Sequence, residues 1–305
     1  MSTVPMKRRN SRPTTANSRG RVPATSHLGI ASCLGLALSL TGCLGAPNAL
    51  APGLKGSVGM PHHGVQTDAV ELPKQGPGYT RFRPNSPAYW GNPRLVHAIQ
   101  EVAHAVAEAR PGGAPLVVGD LSGRHGGKIP RHNSHRTGRD VDLLFYMETP
   151  QGAPVRSPGF IHVGSDGLAE FAGQYLKLDV ERQWLLMKQL LTSPHIEVQW
   201  LFVSRDVEAL LIDYALAKET DLELVWQAET VMLQPGDSAP HDDHVHMRIA
   251  CRPEEAVYGC EGGGPRWEWQ APLPRLEMPL AELLQQIARE DPYEPEALAQ
   301  SSEDS

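Results

Sequence analysis

The sequence predicts an α+β fold. Segments of helical period and segments of strand period both occur, and they do not alternate strictly as they would in a doubly wound sheet. No internal repeat is visible. Glycine and proline together supply 56 of the 305 residues, which calls for many turns and long loops. These observations point to one domain with a small, mostly antiparallel sheet, flanked by helices and joined by long Gly/His-rich loops.

The elements follow in chain order. Residues 44–80 lack periodicity and carry scattered Pro and Gly, so they read as a flexible tether (43–79) ahead of an ordered domain over 80–270. Asn92 and Pro93 form a helix start, Asn as N-cap and Pro in the first turn. Leu95, Ile99, Val102 and Val106 then recur at helical spacing until Pro111, Gly112 and Gly113. Leu116–Val118 is a short buried strand, residues 120–138 a Gly- and His-rich loop, and residues 141–145 a strand entered through Asp140. Val180–Leu191 reads as a helix and residues 196–203 as an alternating strand. Asp206 then caps a helix reaching about Lys218, and 241–249 is a further strand. The segment 271–305 holds eight acids, two bases and five prolines. It reads as an acidic, mostly extended tail, interrupted by a short amphipathic helix over 280–287.

Charge and targeting signals narrow the class. The formal net charge is −7, yet residues 1–42 hold six basic groups (Lys7, Arg8, Arg9, Arg12, Arg19, Arg21) and no acid. The remainder is strongly acidic and a poor match for a polyanion, so nucleic-acid binding is not expected. No uninterrupted apolar run reaches the length of a membrane span. The basic start, the weakly apolar run 28–40 and the sequence LTGC at 40–43 describe a secretory leader (1–42). Cys directly after Leu-Thr-Gly resembles a bacterial lipobox. That resemblance implies cleavage before Cys43, lipidation of Cys43, and membrane anchoring in the periplasmic cell envelope. Cys33 leaves with the leader, so Cys251 and Cys260 remain as a disulfide pair in an oxidising compartment, worth about 2–4 kcal/mol.

Six of the thirteen histidines fall within 125–142 and 241–246, where even scattering would place about one, and such clustering points to a metal. On a strand, His244, His246 and Arg248 share one face while Val245, Met247 and Ile249 take the other. Asp140 and Asp142 likewise share a face opposite Val141. Asp142 leads into the apolar run Leu143, Leu144, Phe145, where a bare carboxylate is costly without a partner or cation. The Gly138 turn lets His135 fold back beside Asp142. Two nitrogens and a carboxylate suit zinc with an open fourth position, the mark of a catalytic site. His125 and His132 read equally well as loop residues or site residues. The motifs HExxH, GxSxG and GxxxxGK[ST] are absent.

The runs SHRTGRDVD (134–142) and HDDHVHMR (241–248), with Cys251 soon after, resemble the penicillin-insensitive murein endopeptidases, relatives of the D-Ala-D-Ala carboxypeptidases and dipeptidases. The likeness extends to RFRP at 81–84, YWGNP at 89–93, GDLS at 119–122, and Gly126 with Gly127. It implies one catalytic zinc held by His135, Asp142 and His246, with His132 as a ligand or close neighbour. His244 corresponds to the catalytic histidine and His241 to its neighbour. Asp140 would orient a ligand histidine. Arg248 would either help His241 steady an oxyanion or pair with Asp140. The implied reaction is hydrolysis of a peptidoglycan crosslink between D-alanine and a diamino acid such as meso-diaminopimelate, insensitive to penicillin because no serine takes part. A D,D-carboxypeptidase or dipeptidase would use the same groups on a shorter peptide, and a noncatalytic peptidoglycan- or zinc-binding lipoprotein would keep the metal without turnover. One departure stands out: Asp166 sits in a Ser-Asp-Gly turn, but Ala169 occupies the place of the histidine that completes a second metal position, and His162 is only a remote substitute.

Overall fold

The computed structural model describes residues 55–270, apart from positions 237 and 263. The leader, Cys43 and the acidic tail with its expected short helix lie outside the described residues.

The chain opens with a hairpin of β1 (Ser57–Met60) and β2 (His63–Gln66), followed by β3 (Val70–Glu71), β4 (Gln75–Gly76), β5 (Tyr79–Arg81) and β6 (Trp90–Gly91). Helix α1 (Pro93–Ala109) leads to β7 (Leu116–Val118) and β8 (Asp140–Leu144). Four short strands follow: β9 (Met147–Glu148), β10 (Pro154–Val155), β11 (Leu168–Phe171) and β12 (Gln174–Leu178). Then come α2 (Val180–Leu191), β13 (Val198–Phe202), α3 (Arg205–Lys218), α4 (Leu222–Val231), β14 (Met232–Leu233), β15 (His244–Ile249) and α5 (Pro253–Val257). The main sheet has the order β14-β13-β15-β8-β7-β5-β4. It is mixed: β5 runs parallel to β7 and β13 to β14, and the other junctions are antiparallel.

The β8–β15 pair positions the site. Val141 and Leu143 of β8, with Val245, Met247 and Ile249 of β15, lie in the apolar core shared with Leu95, Ile99 and Val102 of α1 and Leu186, Met187 and Leu190 of α2. Each such buried aliphatic side chain contributes roughly 1.5–3 kcal/mol. That burial anchors both strands by one face and leaves the other face to carry polar groups. The register sets His246 directly opposite Asp142 and Arg248 opposite Asp140.

Helix α1 starts where the sequence indicates, with the Asn92 side chain accepting from Arg94 N at 3.1 Å. Helix α2 spans the expected residues, capped by Asp179. Two expectations are corrected. Residues 57–79 are not tether: they form β1 to β4 and the start of β5, tied into the domain by long-range backbone bonds such as Gly59 N to Gly259 O and Gln66 N to His125 O. Ser204, not Asp206, caps α3, its hydroxyl accepting from Val207 N. The main sheet is mostly antiparallel, as expected, with two parallel junctions among its seven strands.

Candidate metal centre

Asp142 is the hub of the polar face. Its carboxylate is buried, and four imidazoles surround it: His135 Nε2 at 3.3 Å, His244 Nε2 at 3.4 Å, and His132 Nε2 and His246 Nδ1 each at 3.8 Å. Neither Asp142 oxygen has a hydrogen-bond partner among the described residues, and neither does His135 Nε2. Unsatisfied buried groups of this kind carry a desolvation penalty of about 1–3 kcal/mol each, more when charged. A cation removes the penalty. Ligand atoms about 2.0–2.1 Å from a tetrahedral zinc stand roughly 3.3–3.4 Å apart, close to the shorter separations around Asp142.

The backbone and neighbouring groups aim each donor. His135 adopts φ +63°, an uncommon backbone region that costs on the order of 1–3 kcal/mol for a non-glycine residue. Its carbonyl accepts from the Ser122 hydroxyl, and its Nδ1–H donates to the Leu121 carbonyl at 2.5 Å, so Nε2 is the nitrogen that faces Asp142. Gly138 (φ +72°) makes the turn: a Cβ there would lie 1.7 Å from Gln66 Oε1. Across the sheet, His246 Nε2–H donates to Asp140 at 2.8 Å, leaving Nδ1 toward Asp142. Arg248 Nε donates to the same Asp140 oxygen at 2.7 Å. Arg248 thus pairs with Asp140, and Asp140 orients His246.

Electrostatics favour a cation in the middle. Burial opposes ionisation of Asp142, yet His135 and His244 hold its carboxyl well below the usual range. Asp140 is held down in the same way, chiefly by Arg248. Burial pushes His246 down to about 4, aided by the nearby His135, and His241 down to about 4, aided by His244; both present neutral nitrogens. Burial would lower His244 too, but Asp142 outweighs it and lifts this imidazole to about 10. A cation on Asp142 would offset that pull.

The remaining expected residues fall as follows. His241 stands next to His244, ring centroids 5.3 Å apart, with its Nδ1 buried and without a partner among the described residues. His132 Nε2 lies closer to Asp120 (3.2 Å) than to Asp142, so a carboxylate already competes for that nitrogen. His125 is exposed and contributes its carbonyl to Gln66. Asp166 accepts from Leu168 N within its turn, Ala169 is buried, and exposed His162 pairs with Asp242 at 2.7 Å. Cys251 and Cys260 form a disulfide, with Cα atoms 5.9 Å apart.

Three contributors have roles that the sequence alone does not assign. Asp243 accepts from His244 Nδ1 at 2.5 Å, which turns Nε2 toward Asp142. Asp120 gathers His132, Arg83 and Arg131. Phe160 meets the His244 ring edge-on at 5.1 Å. Asp243 was discoverable, since it adjoins a histidine already singled out; Phe160 had no sequence signal.

This chain is similar to known proteins. The family model described as penicillin-insensitive murein endopeptidase matches residues 57–266. A Haemophilus influenzae protein of that name is 27% identical over 218 residues, 68% of this chain and 67% of the relative. Proteins of the same name from Salmonella paratyphi C and Klebsiella pneumoniae are each 34% identical, over 97 and 96 residues. Those matches cover 32% and 31% of this chain, and only 35% and 34% of the relatives' own lengths.

Proposed function

Since the chain belongs to the penicillin-insensitive murein endopeptidase family, we propose that it is a zinc hydrolase that cuts the peptide crosslinks of peptidoglycan at D-alanyl–meso-diaminopimelate bonds. The observation that carries this reading is the Asp142 cluster, a buried carboxylate with both oxygens unsatisfied among imidazole nitrogens. His135 through Nε2, Asp142, and His246 through Nδ1 would hold the metal. His132 borders it and is shared with Asp120. When bound, zinc supplies Lewis-acid polarisation of the scissile carbonyl and makes a water acidic enough to react near neutral pH.

The protein's own groups do the rest. His244 Nε2 accepts the water's proton and passes it to the leaving amine, while Asp243 holds Nδ1–H and keeps the ring in that tautomer. His241 faces the same space with a neutral imidazole, suited to donating toward developing negative charge. Arg248 is engaged with Asp140, so its part is to hold the carboxylate that orients His246. Phe160 and Phe202 wall the histidines on either side.

The murein substrate places the protein in the bacterial cell envelope, and the lipobox at Cys43 would anchor it to a membrane on the periplasmic side. The test is to incubate the full chain with purified crosslinked muropeptide dimers and, separately, with stem pentapeptide, each with and without chelator, and to analyse products by chromatography and mass spectrometry. Chelator-sensitive, penicillin-resistant conversion of dimer to monomer is expected. Release of D-alanine from pentapeptide with dimer untouched would replace the endopeptidase by a carboxypeptidase. A zinc-loaded protein inert on both would leave a binding role.

A further inference from the structure

Helix α1 and the α2–β13 connection bring together a second set of metal-type donors, sharing no residue with the Asp142 cluster. His97 and Glu101 stand four residues apart on α1 and therefore share one helical face. His195 reaches that face from the connection. Its Nε2 lies 2.9 Å from a Glu101 oxygen, and its ring meets that of His97 edge-on with centroids 4.3 Å apart. One donor atom from each of the three residues falls within 4.8 Å of the others.

We infer that this face binds a divalent first-row transition cation, with zinc the natural occupant in an envelope enzyme. Two imidazoles and a carboxylate form a donor set for zinc, nickel or copper rather than magnesium or calcium, and a fourth position stays open to water. An ion pair accounts for Glu101 and His195 alone, and at the surface it contributes only about 0–1 kcal/mol. It gives no reason for a second imidazole against the first, where two protonated rings would repel. A shared cation uses all three.

The third donor is held in place rather than carried on a free loop. The His195 N–H donates to the Ser193 hydroxyl at 3.3 Å, and its carbonyl accepts from Arg252 at 3.0 Å. Arg252 caps α5, and Glu255 of α5 pairs at 2.6 Å with Arg94, one turn before His97 on α1. This closed set of contacts brings His195 to the helix before any ion arrives, while the Glu101 and His195 side chains, 50% and 35% exposed, leave it open to solvent. The bound cation would pin the start of β13 to α1. The position differs from the one around Asp166 and Ala169, where the second donor is missing.

The experiment is calorimetric titration of the metal-stripped full chain with Zn2+, paired with thermal unfolding at each stage of loading. Wild type is expected to take a second, weaker equivalent that raises the unfolding temperature further. His97→Ala and His195→Ala should each lose that equivalent, keep the tighter one and keep a wild-type circular dichroism spectrum. Should either misfold, Glu101→Gln at a half-exposed position gives the same readout. A wild type that binds one equivalent, or a second equivalent that survives these substitutions, overturns the inference. Asp142→Ala should lose only the tighter equivalent, so failure of the surface site and failure of the catalytic-centre reading are distinguishable.

Discussion

Replacing Asp140 by Asn tests how the site is held together. Asp140 is fully buried, and one of its oxygens accepts from both Arg248 Nε (2.7 Å) and His246 Nε2 (2.8 Å). The amide keeps the shape and can still accept a hydrogen bond, but it leaves the Arg248 guanidinium, only 10% exposed, without a counter-charge. Breaking a buried ion pair from one side costs about 3–5 kcal/mol, and the retained hydrogen bond places this case near the lower end. Independently, loss of the carboxylate that orients a metal-ligating histidine lowers metal affinity about 10–100-fold. Urea unfolding of the metal-free protein reads the first effect, and zinc titration reads the second. The pH dependence has a definite sign. The carboxyl of Asp140 is depressed in the folded state, so its stabilisation is complete above the unfolded value near 3.9 and drains away as pH falls through the lower folded value. The gap between wild type and Asp140→Asn should therefore narrow in acid. A variant within about 0.5 kcal/mol of wild type at pH 7, with unchanged zinc affinity, would refute the reasoning.

Three further outcomes are expected. Gly138→Ala places a Cβ 1.7 Å from Gln66 Oε1 at φ +72°, so the unfolding temperature should drop by the equivalent of at least about 1–3 kcal/mol, with weaker zinc binding as His135 shifts; an unchanged melting curve would count against the turn argument. The paired substitution Cys251→Ser with Cys260→Ser, which opens a nine-residue separation, should lower stability by about 2–3 kcal/mol in urea, and equal midpoints would show the bridge to be dispensable. His162 should titrate above 6.5 by NMR because Asp242 stabilises its charged form; that small stabilisation is present below 6.5 and disappears as pH rises through the raised value, and Asp242→Asn should return the histidine toward 6.5.

The histidine and aspartate cluster was legible because alternation on a strand is a strict rule. Once 241–249 is a strand, His244, His246 and Arg248 must share a face, and the apolar partners Val245, Met247 and Ile249 say which face is the core. Asp142 followed from the cost of a carboxylate in an apolar run. The opening strands β1 to β4 were illegible, since elements of two to four residues carry no measurable period and are stabilised by partners distant in sequence, such as Gly259 for Gly59. Helix α4 and the β11–β12 hairpin were also missed. Trp226 and Leu222 of α4 are exposed, which blurs its apolar stripe, and Phe171 and Tyr175 put exposed aromatics on the hairpin. The competition of Asp120 for His132 could not be read either, because it depends on where the β7–β8 connection turns.

The central claim is that Asp142 holds the catalytic metal while His244 moves the proton. The most direct measurement compares zinc content and dimer cleavage in Asp142→Ala and His244→Gln. The account predicts that Asp142→Ala loses the tighter zinc equivalent and cleavage, and that His244→Gln retains that equivalent while its cleavage rate falls about 10²–10⁴-fold. Full cleavage by His244→Gln, or stoichiometric catalytic zinc in Asp142→Ala, would contradict it.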